Sequence, residues 1–261
     1  MAIAVAGLLA VVAGGAAAEE DLADLDLEDL FAMEVTSLTK SAGRLSDTPA
    51  AIFVLTGEDI RRSGVRTIPE ALRMVPGLQV AQLSGNKWAI SARGFNGLFS
   101  DKMLVLIDGR SVYTPLYAGV YWDVQDTLLE DIDRIEVIRG PGGTLWGANA
   151  VNGVINIVTK DTADTQGLLV QGGGGDVQRA YGAARYGGAV GDSVHYRGYF
   201  KYDNQASFDD PAPGAFAFDS TESFRGGFRL DVAVTDAGRL TLQGDGYGST
   251  ADTTVQSILR T

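Results

Sequence analysis

The sequence predicts an α+β domain across residues 46–160, followed from residue 161 by an antiparallel β-sheet. Three observations carry this. Short helical and strand-like segments alternate with turn signals up to Lys160. A glycine-rich run, Arg139-Gly-Pro-Gly-Gly-Thr-Leu-Trp146-Gly-Ala-Asn-Ala-Val-Asn-Gly-Val-Ile-Asn-Ile-Val-Thr-Lys160, turns sharply and feeds a β-branched strand, Val154 to Thr159. Beyond Lys160 the pattern becomes strict period-two alternation.

The elements come in order along the chain. Ala2 to Ala13 is apolar, and Ala16-Ala17-Ala18 before Glu19 fits a small-residue cleavage site, so residues 1–18 are expected to be a secretory signal peptide. No Lys or Arg precedes the apolar stretch, which points to a true start upstream. Residues 19–45 form an expected arm. It opens with Glu19, Glu20, Asp21, Asp24, Asp26, Glu28 and Asp29, too charged for a stable isolated helix, and ends in the β-prone Met33 to Lys40. Ala51 to Leu55 is a strand. Gly57 to Ser63 is a short helix with Glu58 and Asp59 early and Arg61 and Arg62 late, as the helix dipole prefers. Thr67-Ile-Pro-Glu70 is a capping-box start whose helix stops before Pro76-Gly77. Leu78 to Gln82, Trp88 to Ala92 and Met103 to Ile107 are strands, the last ending in the turn Asp108-Gly109. In Ile132 to Ile138, Ile132, Ile135, Val137 and Ile138 pack, while Asp133, Arg134 and Glu136 face water or a charged wall.

Past Lys160, Val194, Tyr196, Gly198, Phe200 and Tyr202 share one face, and His195, Arg197, Tyr199 and Lys201 the other. Phe224, Phe228, Leu230, Val232 and Val234 likewise oppose Arg225, Arg229 and Asp231, and Leu240 and Leu242 oppose Thr241, Gln243 and Asp245. Weaker versions occupy Leu168 to Gln171 and Arg179 to Tyr186. Transmembrane barrel strands and a soluble antiparallel sandwich both give this alternation. The connections favour the barrel: Gly187 to Asp192 and Thr235 to Gly238 read as tight turns, Asn204 to Glu222 as a long loop, and barrels place the two kinds on opposite sides.

Composition excludes several functions. The chain has no cysteine and one histidine, His195, which removes thiolate metal sites and disfavours His-cluster metal sites and a Ser-His-Asp triad. A net charge of −12 disfavours nucleic acid as a partner. Gly142-x-x-x-x-Gly147 has phosphate-loop spacing, but Ala148-Asn149 stands where Lys-Ser/Thr is needed. The pairs Glu130-Asp131 and Asp209-Asp210 are read as solvated faces or loop residues, not acid–base pairs. No catalytic residue, metal site or cofactor is assigned, and the chain is expected not to be an enzyme.

Several blocks now stand in order: Thr48-Pro49-Ala50 through Ile60, Ile68-Pro-Glu-Ala-Leu-Arg-Met-Val-Pro-Gly77, Ile90-Ser-Ala-Arg-Gly-Phe95, Val105-Leu-Ile-Asp-Gly109 and the Arg139 to Lys160 run. Together they resemble the plug domain of TonB-dependent outer-membrane receptors, strongly over Glu34 to Lys160 and loosely beyond. The resemblance implies an α+β plug domain followed by the first antiparallel strands of a large transmembrane β-barrel. About 22 strands of roughly 10 residues need far more chain than lies beyond Lys160, so residues 161–261 are expected to be an incomplete barrel of about five strands in an N-terminal fragment.

The resemblance further implies uptake of a scarce ligand across the outer membrane of a Gram-negative bacterium, driven through the partner TonB of the inner-membrane energy-transducing complex. Its TonB box is placed at Met33, Glu34, Val35, Thr36, Ser37 and Leu38, in an arm lying in the periplasm. A plug–barrel lock is placed at Arg93, Glu136 and Arg139, where charged contacts could open and close. Ligand-facing loops are placed at Trp88, Phe95, Phe99, Tyr113, Tyr117, Tyr121 and Trp122, with packing against the barrel wall as the other role for these aromatics. A ferric siderophore is the expected ligand; cobalamin, haem and saccharide are alternatives. A TonB-coupled signalling receptor would need a further folded domain ahead of the box, and a soluble β-rich binding module would need no lipid.

Overall fold

The computed structural model describes residues 34–35, 43–44, 51–97, 102–116, 119–141, 146–207, 219–235 and 238–252. The expected signal peptide, most of the arm including Met33, Thr36, Ser37 and Leu38, and the aromatics Phe99 and Tyr117 lie outside the described residues.

A two-residue ribbon comes first: β1 (Glu34–Val35) runs antiparallel to β2 (Gly43–Arg44). The α+β body begins with β3 (Ile52–Thr56) and α1 (Gly57–Ser63). Thr56 and Asp59 form a reciprocal capping box, the Asp59 amide donating to Thr56 Oγ1 at 3.1 Å and the Thr56 amide to Asp59 Oδ2 at 3.0 Å. Gly64, at φ 71°, ends the helix in the left-handed conformation that only glycine adopts freely. Gly57 is needed for proximity: a Cβ there would stand 2.4 Å from the Ile132 carbonyl oxygen. α2 (Ile68–Leu72) starts on the expected Thr67–Glu70 box, with Pro69 in its first turn.

β4 (Leu78–Gln82) and β5 (Trp88–Ala92) make an antiparallel hairpin. Then come β6 (Met103–Ile107), β7 (Arg110–Ser111), β8 (Tyr113–Thr114), β9 (Gly119–Val120), a 3-10 turn at Leu129–Asp131, β10 (Ile132–Arg139) and β11 (Gly153–Thr159). The principal sheet of this body has the order β3-β10-β11-β6-β7, with β6 parallel to β11. One face buries Leu55, Ile135, Val137, Ile155 and Ile157 against Ile60, Ile68 and Leu72 of the helices. The other buries Leu104, Leu106, Ile138, Ala150 and Val154. Fully burying a side chain of this size contributes roughly 1.5–3 kcal/mol, so these two layers hold the body together.

Burial on both faces corrects one expectation. The sequence pattern turns Glu136 toward water or a charged wall; it is 0 % exposed, because β3 and β11 flank β10 and both its faces are covered. Arg134 Nε donates to Glu136 Oε1 at 2.8 Å and Asn156 Nδ2 to Oε2 at 3.2 Å, which makes the burial tolerable.

After a 3-10 turn at Thr162–Thr165, five strands run in simple up-and-down order: β12 (Gly167–Gly173), β13 (Gln178–Val190), β14 (Val194–Gln205), β15 (Thr221–Thr235) and β16 (Gly238–Ala251). The turn expected at Gly187 to Asp192 is shorter. Gly187 to Val190 belong to β13 and pair with β14, Tyr196 standing opposite Gly188 with its ring over it. The sheet is inside out. Arg197, Arg225 and Asp231 are buried, whereas Leu168, Val170, Phe200, Phe228, Leu240 and Leu242 are each more than half exposed. A soluble sandwich buries its apolar face; a barrel wall turns it to lipid and its polar face inward. The polar face here lies against the α+β body. No described helix is long and apolar enough to cross a membrane.

Candidate functional site

The expected box residues Glu34 and Val35 lie in β1, in extended form and already paired with β2. The three lock residues do not meet one another through charge. Arg93 donates from Nη2 to the Arg139 carbonyl at 3.1 Å, and Arg139 from Nη1 to the Pro76 carbonyl at 2.9 Å. Glu136 is tied to Arg134 and Asn156, on the same sheet. Arg93 and Phe95 flank Gly94 in a turn where all three have positive φ (56°, 59° and 92°). Such backbone is costly for the two non-glycine residues. Ser91 Oγ and Asn152 Nδ2 both donate to the Gly94 carbonyl and hold it there.

The aromatic residues separate into two groups. Trp88 and Trp122 are 7 % and 8 % exposed and belong to the core, the Arg73 guanidinium lying over the Trp88 ring at 4.9 Å. Phe95 is 77 % exposed, and Tyr113 and Tyr121 are half-buried. Lys87 Nζ reaches Asp123 Oδ2 at 2.6 Å and Tyr121 Oη at 3.2 Å. Burial alone would lower the Lys87 pKa, but these hydrogen bonds outweigh it and hold the ammonium above the ordinary lysine value.

The densest polar contacts lie elsewhere, on the seam between the α+β body and the wall. Asp131, 1 % exposed at the end of its 3-10 turn, meets Arg185 of β13 at 2.5 Å and Arg197 of β14 at 3.5 Å. Arg197 also donates to the Lys160 carbonyl and to Thr159 Oγ1. Arg229 of β15 bonds Thr159, Asp161 and Asp231. Nearer the other end of the strands, Lys201 pairs with Asp126 at 2.5 Å, Arg225 donates to the Val124 carbonyl, and the Gly85 amide donates to Asp219 at 2.6 Å. A cavity of about 310 Å³ lies in this seam, between Asp108, Asp126 and Thr159 on one side and Tyr199, Arg225 and Arg229 on the other. Its guanidinium groups already have carboxylate or carbonyl partners, so it is polar and wettable rather than a cradle for an anion.

Sequence reading missed Asp131, Arg185, Arg197 and Arg229 as contact residues. The signal for the wall half was present: Arg197, Arg225 and Arg229 fall on the polar face of their alternation. Their partners lie up to about a hundred positions away, and no local pattern pairs them. Among the described residues no cluster of three or more His, Cys, Asp or Glu could hold a metal ion.

Comparison with known proteins agrees with this architecture. The family model for the TonB-dependent Receptor Plug Domain matches residues 44–154. The vitamin B12 transporter BtuB of Vibrio cholerae serotype O1 is 30 % identical over 201 residues, which is 77 % of this chain and 32 % of that protein. An iron-regulated outer membrane virulence protein of the same organism is 36 % identical over 141 residues, 51 % of this chain and 21 % of that one. This chain therefore spans about a third or less of the length of these relatives. Among solved structures, the pyoverdine outer membrane receptor FpvA of Pseudomonas aeruginosa PAO1 superposes with a TM-score of 0.67 at 21 % identity, covering 84 % of this chain and 31 % of that one. The siderophore receptor PirA of Acinetobacter baumannii gives 0.58 at 23 % identity, covering 77 % and 32 %.

Proposed function

Because this chain belongs to the TonB-dependent outer-membrane receptors, with its plug domain at residues 44–154, we propose that the complete protein takes up a scarce ligand actively across the outer membrane. The plug closes a barrel begun by β12–β16 and completed by further strands. Ligand bound on the outer side signals through the plug, TonB engages the arm at residues 33–38, and work done by TonB opens a path. No covalent step is assigned to the chain.

The observation that carries this reading is the inside-out wall: its buried arginines bond a folded body on the inner face, and its apolar face is bare. A stopper inside a lipid-facing cylinder explains both features. The box assignment rests on β1 being extended and able to take a strand neighbour, the form in which a peptide adds to a partner's sheet. Deleting residues 33–40 in the complete receptor is expected to leave ligand binding intact and abolish uptake. Normal uptake by that deletion would overturn the box.

A ferric siderophore is the first proposed ligand. Cobalamin is the second, favoured because the B12 transporter matches over 77 % of this chain against 51 % for the iron-regulated protein. Accumulation of labelled ferric siderophore and of labelled cyanocobalamin by cells with and without the receptor separates them.

A further inference from the structure

One dense group of ties between plug and wall surrounds the place where the two are covalently joined, from Thr159 at the end of β11 to Gly167 at the start of β12. Asp108, at φ 47°, accepts from the Thr159 amide at 2.8 Å and from its hydroxyl at 2.9 Å. That hydroxyl oxygen in turn accepts from Arg197 Nη2 and Arg229 Nη1, each at 2.9 Å. Asp161 is gripped by Arg229 at 2.9 Å and Arg239 at 2.5 Å. Asp231 accepts from the Thr162 amide and hydroxyl at 3.1 and 2.8 Å, and from Thr241 at 2.6 Å. Asp131 closes the arrangement, its side chain on Arg185 and Arg197 and its carbonyl accepting from the Lys160 amide at 2.8 Å.

Separating these groups would strand several buried charges at once, and removing one partner of a buried pair is strongly destabilising. A surface built to slide or release has the opposite character, with few buried contacts and solvent-exposed hydrogen bonds.

Building on the uptake reading, we infer that this junction is a permanent clasp. The plug stays bolted to β13–β15 through Asp131, Thr159, Asp161 and Thr162 throughout the transport cycle, and the ligand passes on the side of the plug away from these strands. Asp131, Asp108 and the arginines are positioning residues that keep one sector of the plug against the wall.

The test tethers the plug to the wall without touching the clasp. Glu130 and Gln171 face each other across the seam, Gln171 Nε2 donating to Glu130 Oε2 at 3.2 Å. No cysteine lies within these 261 residues, so Glu130→Cys with Gln171→Cys, made in the complete receptor with any cysteine of its remaining strands changed to serine and joined by a short reducible bifunctional thiol reagent, forms a defined tether. The assay uses whichever of labelled ferric siderophore and cyanocobalamin the untethered double variant accumulates. Uptake is expected to be unchanged when tethered; loss on tethering with recovery on reduction would overturn the clasp. Absence of TonB-dependent accumulation by wild type would instead sink the uptake reading. A second arm needs no ligand and no TonB: Asp131→Ala should let vancomycin leak into cells at unchanged surface levels of folded receptor, and Asp131→Glu should restore exclusion. An Asp131→Ala receptor as tight as wild type refutes the clasp even if nothing is transported.

Discussion

Two buried aromatics and one half-buried one illustrate what single residues can and cannot disclose. The family resemblance places Trp88, Trp122 and Tyr121 alike in ligand-facing loops, with packing against the barrel wall as the other role. The structure puts both tryptophans in the core, Trp88 on β5, which is buried along its whole length, and Trp122 just past β9, and leaves Tyr121 beside Lys87 at a partly open surface. A side chain's burial depends on which elements cover it, and that is decided by contacts from distant parts of the chain. The consequence is measurable. Trp88→Ala should destabilise the plug by about 3–5 kcal/mol, as large core truncations do, seen as a lower denaturation midpoint of the complete receptor in detergent. Tyr121→Ala should leave that midpoint nearly unchanged and weaken ligand binding. If Trp88→Ala melts like wild type, its core assignment is wrong. Glu136 makes a parallel case. Glu136→Ala removes the buried carboxylate that Arg134 holds at 2.8 Å and should cost about 3 kcal/mol, whereas Glu136→Gln keeps an acceptor and should cost less.

At the level of elements, local chemistry was legible and length was not. The Thr67–Glu70 box and the charge order of Gly57–Ser63 are written within a few residues, and these helices and the strands Leu78–Gln82 and Trp88–Ala92 stand where the sequence puts them. β12, β13 and β16 outran expectation because the residues they add are glycine-rich, and glycine resembles a turn when its partner is unknown. Gly187 and Gly188 lie in β13 because the facing groups need the space: a Cβ on Gly187 would stand 2.0 Å from the Thr165 carbonyl oxygen, and one on Gly188 2.4 Å from the Tyr196 hydroxyl. Gly198, by contrast, has its nearest such neighbour at 3.8 Å. Gly187→Ala should therefore push the 3-10 turn off the wall and cost roughly 1–3 kcal/mol, while Gly198→Ala should fold and assemble normally. Protease sensitivity of the 159–166 junction in assembled receptor distinguishes them, and equal resistance of the two variants would rule out the packing argument.

On the scale of the whole molecule, the direction in which the sheet buries its faces decides which solvent it belongs in. β12 and β16 are the two edges of the five-strand sheet, and their outward backbone groups have no strand neighbour among the described residues. Leu168 and Val170 on β12 and Leu240 and Leu242 on β16 stand bare beside those edges. In hydrocarbon an unpaired strand edge is untenable, and in water an apolar face with open edges pairs with whatever strand it meets. The plug cannot relieve this, because it occupies the opposite, polar face through the arginines of β13–β15. The 261-residue chain on its own should therefore aggregate in water and need detergent or lipid to remain dispersed. The same residues joined to the remaining strands of a closed barrel, with both edges paired, should run as a single species in detergent. Size-exclusion chromatography of the isolated chain with and without detergent, beside the complete receptor, makes the comparison. A well-behaved aqueous monomer would mean that the apolar face finds cover within the chain, and the assignment of that face to lipid would have to be given up.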